Sequence, residues 1–288
     1  MPYRATFNLT RAPFSPEIDP HCLFHSEAFT QCKARLDYLR RERGLAVITG
    51  EVGSGKSSVL RAFLRQLAPS SYLALYGAVP AVQGPLRAVV EGWLEQLGEK
   101  LPFNNLARCL HVLHETLGAI DEKGRQPFVV LDEAHLLDNR GLLQLKALLN
   151  YDMDSRLPLS LVLAGGPKLA RALSLPPLEE IRQRVLFAYP LPGLKRTEME
   201  PYLASRLKQA GCERQLFPPE IVDEMYRHTQ GIPRRVNQLA NLCLVSAATQ
   251  RLQQVDSACL LQALEEMGLT EEARRERFDF TAAGAVQR

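Results

Sequence analysis

The sequence holds no cysteine pair spaced C-x-x-C; its six cysteines, Cys22, Cys32, Cys109, Cys212, Cys243 and Cys259, are scattered along the chain. That scatter weakens metal-site and disulfide-framework readings and favours buried or reduced thiols. No apolar run approaches the roughly 18 residues of a membrane span. The stretch Met1-Pro2-Tyr3-Arg4-Ala5-Thr6-Phe7 lacks the continuous apolar segment of a signal peptide. Together these absences predict no membrane partner and a cytoplasmic location. Excess charge is also lacking: 35 Lys and Arg stand against 32 Asp and Glu, and the net +3 permits nucleic acid without arguing for it. There is no internal repeat. With 288 residues, 46% of them hydrophobic, the chain can bury a sizeable core.

What is present centres on Gly50-Glu51-Val52-Gly53-Ser54-Gly55-Lys56-Ser57, which fits G-x-x-x-x-G-K-[ST], the phosphate-binding loop. Glycines Gly50, Gly53 and Gly55 let backbone N–H groups around Ser54 close on an anion. Lys56 can reach β- and γ-phosphates, and the Ser57 hydroxyl can ligate Mg²⁺. The flanks agree. Leu45–Thr49 is an apolar run suited to a buried strand, and Ser58–Leu64 has helical periodicity that turns its N-terminus toward the phosphates. The loop therefore predicts binding of a nucleoside triphosphate.

A second apolar run, Phe128-Val129-Val130-Leu131, ends in Asp132-Glu133-Ala134-His135. A buried strand ending there delivers Asp132 to the Mg²⁺ shell and sets Glu133 to polarise a water against the γ-phosphate. The four letters also spell the DEAH box of one helicase group. A helicase of that type needs a second motor domain that the remaining chain is too short to supply, so His135 reads as structural or modulatory.

Strand patterns at 45–49, 72–76, 128–131, 157–164 and 186–189 alternate with helical patterns at 27–43, 58–64, 85–97, 105–121 and 139–150. That alternation predicts an α/β fold with a parallel sheet covered on both faces. From residue 194 the pattern is helical throughout, at 197–210, 218–229, 233–250 and 256–267. The expected organisation is an N-terminal arm (1–26), a nucleotide-binding domain (27–193), a smaller helical bundle (194–268) and a flexible tail (269–288). The arm carries Phe7, Phe14 and Phe24, which either pack on a core or form a lid beside the nucleotide base.

The loop, the Leu-Asp-Glu strand, an Arg-rich helix end and a C-terminal bundle together resemble the AAA+ ATPases. Finer features are similar to the ExeA/GspA-type group: Phe7 and Pro13-Phe14 near the start, Leu163-Ala164-Gly165-Gly166-Pro167, and Gly231-Ile232-Pro233-Arg234. That group includes a secretion-pathway A protein and transposon-borne ATPases akin in role to MuB, TniB, IstB and TnsC. The resemblance implies a phosphate role for Lys56 and its loop through Ser58, Mg²⁺ on Ser57 and Asp132, a catalytic base at Glu133, and a sensor arginine at Arg234. It also implies an arginine finger from a neighbouring subunit, for which Arg182 and Arg184 qualify, Arg184 being preferred. Gly166 departs from the pattern. A polar side chain belongs there to position the attacking water, and its absence predicts slow turnover or a sensor supplied from elsewhere.

The resemblance further implies ATP and Mg²⁺ as cofactors and a homo-oligomer, either ring or helical filament. It implies contact with double-stranded DNA through phosphates, from residues such as Arg87, Lys100 and Arg108, and recruitment or activation of a transposase, with a target-selector protein as a further partner. The alternative is a secretion-type ATPase acting on protein or envelope assembly. Against it stands the expectation that such a protein continues past this core into a membrane span.

Overall fold

Five strands, β1 (Gly44–Thr49), β2 (Tyr72–Ala78), β3 (Gln126–Asp132), β4 (Ser160–Gly165) and β5 (Val185–Pro190), pair in parallel in the order β2-β3-β4-β1-β5. These strands come from a computed structural model that describes residues 2–15, 22–99, 105–149 and 157–269. The chain divides into two compact units, Glu27–Pro192, and Met1–Ser26 with Gly193–Arg288.

Within the first unit, alternate residues of the central strands serve opposite faces of the sheet. Leu45, Val47, Val129, Leu131, Leu161 and Leu163 join one core with helices α4 (Pro85–Gln96) and α5 (Leu106–Glu122). Ala46, Ile48, Phe128, Val130, Val162 and Ala164 join another with α2 (Glu27–Glu42) and α3 (Lys56–Leu64). Burial on both faces is why β1, β3 and β4 read as unbroken apolar runs. α2 contributes Cys32, Leu36 and Leu39, one helical stripe. Trp93 of α4 is fully buried.

Two element boundaries differ from the periodicity. The strand pattern over 157–164 is paired only from Ser160, because Pro158 has no N–H for the ladder. The helix expected over 139–150 is α6 (Asn139–Gln144), capped by Asp138 onto the Gly141 N–H, followed by a tighter turn over Leu145–Leu148. The three-residue repeat of that turn sets Leu145 and Leu148 on one face, and both are buried. Helices α7 (Pro167–Leu173) and α8 (Glu179–Arg182) complete the unit.

In the second unit, α9 (Arg196–Gln209), α10 (Pro219–Thr229), α11 (Pro233–Thr249) and α12 (Ser257–Glu266) share one core with the N-terminal residues Tyr3, Phe7, Leu9 and Phe14. Tyr3 lies in the short helix α1 (Pro2–Thr6) and Phe7 directly follows it. Arg206 of α9 is 3% exposed. Its guanidinium donates to the carbonyls of Pro13 at 2.7 Å and Ser15 at 2.8 Å, and burial pushes its pKa down. Phe14 meets Phe217 edge-on, ring centroids 6.0 Å apart. The aromatics of the N-terminal residues thus form part of the helical core. Pro16, Pro20 and the tail after Leu269 lie outside the described residues.

All six cysteines are free and all but Cys22 are buried. Burial pushes the Cys32 and Cys243 thiols up to about 12, which keeps them unreactive. Among the described residues no helix is long and apolar enough to cross a membrane.

Gly231 explains part of the Gly-Ile-Pro-Arg segment. Its φ is +66°, and a Cβ there would lie 2.0 Å from the Leu194 carbonyl oxygen. Gly231→Ala should cost about 2 kcal/mol or more, whereas Gly92→Ala, at a helical site with nothing within 4 Å, should hold or raise stability. Denaturant midpoints of the two variants check this contrast.

Candidate functional site

The phosphate-loop sequence bridges the end of β1 and the start of α3, at the carboxyl edge of the sheet. Its first residue is tied across the sheet, Gly50 N–H donating to the Gly165 carbonyl at 3.2 Å. Gly53 and Gly55 have φ of +87° and +102°, conformations that L side chains rarely adopt. Gly55 caps α3, so Lys56, Ser57 and Ser58 form its first turn; the Ser58 N–H donates to the Gly55 carbonyl at 3.0 Å, and those of Lys56 and Ser57 face the helix end.

Lys56 is only 7% exposed. Its ammonium curls back over the loop, donating to the carbonyls of Gly50 at 2.8 Å and Glu51 at 3.0 Å. Ser54 Oγ is buried without a hydrogen-bond partner among the described residues. A buried donor at the mouth of an N–H cradle fits an anion that would complete it.

Beside the loop, β3 ends in Asp132, which is 2% exposed. Oδ2 accepts from Ser57 Oγ at 2.7 Å and from the Tyr76 hydroxyl at 3.0 Å, while Oδ1 accepts the Glu133 N–H at 2.8 Å. Burial first, and then the charge of Asp132, push the Tyr76 phenol up to about 12, so it remains a donor. Among the described residues no three His, Cys, Asp or Glu side chains converge as a metal cluster. One carboxylate beside one hydroxyl instead suits Mg²⁺, which draws its remaining ligands from phosphate oxygens and water.

Glu133 follows with its side chain 48% exposed and Oε2 at 3.3 Å from His135 Nδ1. The structure thus brings Gly50, Gly53, Ser54, Gly55, Lys56, Ser57, Ser58, Asp132 and Glu133 to one edge of the sheet. Tyr76 is a member of this group that sequence reasoning missed. Only strand register, Ala78 pairing with Asp132, brings its hydroxyl there, and nothing in the local pattern signals it.

Arg182 and Arg184 are not part of this constellation. Both precede β5, whose first residue Val185 pairs with Leu45 at the start of β1. They sit at the amino edge of the sheet, about 15 Å of strand away from the loop. Arg182 is exposed and pairs with Glu179. Arg184 is half-buried and lies against the Leu149 carbonyl. Arg234 belongs to the second unit, exposed in the first turn of α11. Arg87 pairs with Glu91 at 2.7 Å, Arg108 is exposed on α5, and Lys100 lies outside the described residues.

Residues 39–173 match the AAA domain family. They form a domain of the AAA+ ATPases. General secretion pathway protein A of Aeromonas hydrophila is 31% identical over 249 residues, covering 85% of this chain and 45% of that protein. The chain therefore spans under half the length of this relative. In architecture this chain is similar to Cdc6p from Pyrobaculum aerophilum, with a TM-score of 0.70 at 16% identity over 88% of this chain and 70% of that one. It is also similar to the Aeropyrum pernix ORC1 protein solved in complex with DNA, with a TM-score of 0.64 at 19% identity over 89% and 69% of the two chains. At these identities the likeness is one of fold.

A Cβ at Gly50 of the AAA+ loop would lie 2.6 Å from both the Leu191 carbonyl oxygen and Ser54 Oγ. Gly50→Ala should therefore lower nucleotide-free stability by about 1–3 kcal/mol. Ser54→Ala, which removes a buried unsatisfied hydroxyl, should leave it unchanged or raise it by up to about 1 kcal/mol. Urea unfolding of the two variants measures both.

Proposed function

We propose that this chain hydrolyses Mg²⁺-ATP and uses the nucleotide to control its own assembly on double-stranded DNA. The observation that carries the hydrolytic reading is the Ser57–Asp132 contact beside a buried Lys56 whose ammonium donates to the loop carbonyls of Gly50 and Glu51. Lys56 would exchange those carbonyls for β- and γ-phosphate oxygens, and the loop N–H groups through Ser58 would hold the same phosphates. Ser57 and Asp132 would hold Mg²⁺, which when bound neutralises charge across the phosphate oxygens. Glu133 would take the proton of a water aligned on the γ-phosphate.

Among the described residues, Lys56 is the cation placed on the loop itself. Arg184, or Arg182 beside it, sits at the opposite edge, which suits donation to the site of a neighbouring copy. Such a finger is worth about 10³–10⁵ in rate and would make turnover depend on assembly. Arg234 is proposed as the residue of the helical unit that answers to the γ-phosphate.

The DNA-bound reading rests on the resemblance of the Pro13-Phe14 and Gly231–Arg234 segments to the ExeA/GspA-type group, which includes transposon-borne ATPases. Arg87 and Arg108 would contact phosphates without sequence preference, and a transposase would be the recruited partner. A second reading is favoured by one specific observation, the 31% identity to general secretion pathway protein A. In that reading the same ATPase drives protein or envelope assembly.

Electron microscopy with double-stranded DNA separates the two. Rings or filaments on DNA that need ATP or a non-hydrolysable analogue, and that Lys56→Ala abolishes, support the DNA reading. Nucleotide-dependent assemblies indifferent to DNA would overturn it in favour of the secretion reading. In either case Glu133→Gln should retain nucleotide while losing roughly 10²–10⁴-fold in turnover.

A further inference from the structure

Glu133 holds a left-handed backbone, φ +54° and ψ +28°, which residues with a Cβ rarely adopt. The Asp132 carboxylate fixes it there by accepting the Glu133 N–H. The chain then tightens into a single turn over Ala134–Leu136, closed by Leu136 N–H on the Glu133 carbonyl at 2.9 Å. That turn folds His135 back against the end of β4.

His135 Nδ1 has two neighbours. The Gly166 N–H donates to it at 3.2 Å, and Glu133 Oε2 lies 3.3 Å away. One nitrogen cannot satisfy both. With its lone pair free and the proton on Nε2, Nδ1 accepts from Gly166 and offers nothing to the carboxylate. With the proton on Nδ1, it donates to Glu133 and opposes the Gly166 N–H with a second hydrogen. The close approach is built into the backbone: a Cβ at Gly165 would sit 3.1 Å from His135 N and 3.3 Å from Nδ1.

We infer that His135 is the positioning residue that takes the place of the side chain lacking at Gly166. Its Nδ1 alternates between the Gly166 N–H and the Glu133 carboxylate, so the end of β4 determines whether Glu133 is held in place to act as a base. The change of tautomer moves one proton, lost from Nε2 to water and gained from water at Nδ1, with no net charge transferred. In the nucleotide-free protein the Gly166 bond holds Nδ1 as an acceptor and leaves the Glu133 carboxylate without that anchor. This inference rests on Glu133 being the base proposed above.

Two measurements test it. Nitrogen-15 imidazole spectra of the nucleotide-free protein, with the His135 signal assigned by its loss in His135→Phe, should report the proton on Nε2. His135→Ala and His135→Phe should keep nucleotide affinity within about twofold and lower kcat by roughly 10–100-fold, the scale of a misplaced reacting group. His135→Asn, whose side-chain oxygen can accept from Gly166 near the Nδ1 position, should recover most of that loss. A proton on Nδ1, an Asn variant no better than Ala, or a loss confined to affinity would each overturn the inference. Turnover that Lys56→Ala leaves untouched would instead sink the ATPase reading, and the tautomer would still decide whether His135 makes this contact.

Discussion

The Asp132 carboxylate is the junction on which the site depends. It collects a hydroxyl from α3 through Ser57, a hydroxyl from β2 through Tyr76 and the N–H of Glu133 from its own chain. Three separate elements are thereby brought to one buried acidic group. The strained backbone of Glu133 persists because its N–H has this partner, and the turn that sets His135 follows from that strain. Loop, Glu133 and strand end are connected through one side chain.

Charge follows a common pattern in the two units. Lys56 and Arg206 are both nearly buried, and both place their charge on backbone carbonyls. Their consequences differ. Arg206 binds carbonyls of Pro13 and Ser15, fastening the N-terminal residues to the helical core, and has no reason to let go. Lys56 binds carbonyls of its own loop, where an anion of higher charge would compete successfully. A lysine held this way is a cation kept near its working position at small reorganisation cost.

Much of this was legible in the sequence because the signals are local. The strand, glycine loop and helix lie within residues 44–64, and their geometry follows from residue types at fixed spacing. The apolar runs of β1, β3 and β4 announced a sheet buried on both faces. What stayed hidden depends on pairs remote in sequence. Tyr76 reaches Asp132 through strand register alone, and Arg206 meets Pro13 across most of the chain. The short turn after Gln144 replaces helix because leucine burial overrides the local period. Gly166 was visible as a departure, but the His135 ring lying against it was not, since that contact needs the left-handed Glu133 to turn the chain back.

On the proposed reading, this loop and this carboxylate form one Mg²⁺-nucleotide site. The most direct test is a crystal structure with Mn²⁺ and a non-hydrolysable ATP analogue, using the anomalous signal to locate the ion. Mn²⁺ is expected beside Ser57 Oγ and Asp132, with Lys56 Nζ withdrawn from the Gly50 and Glu51 carbonyls onto the phosphates. An analogue bound elsewhere, or bound at the loop with Lys56 still on those carbonyls, would contradict it.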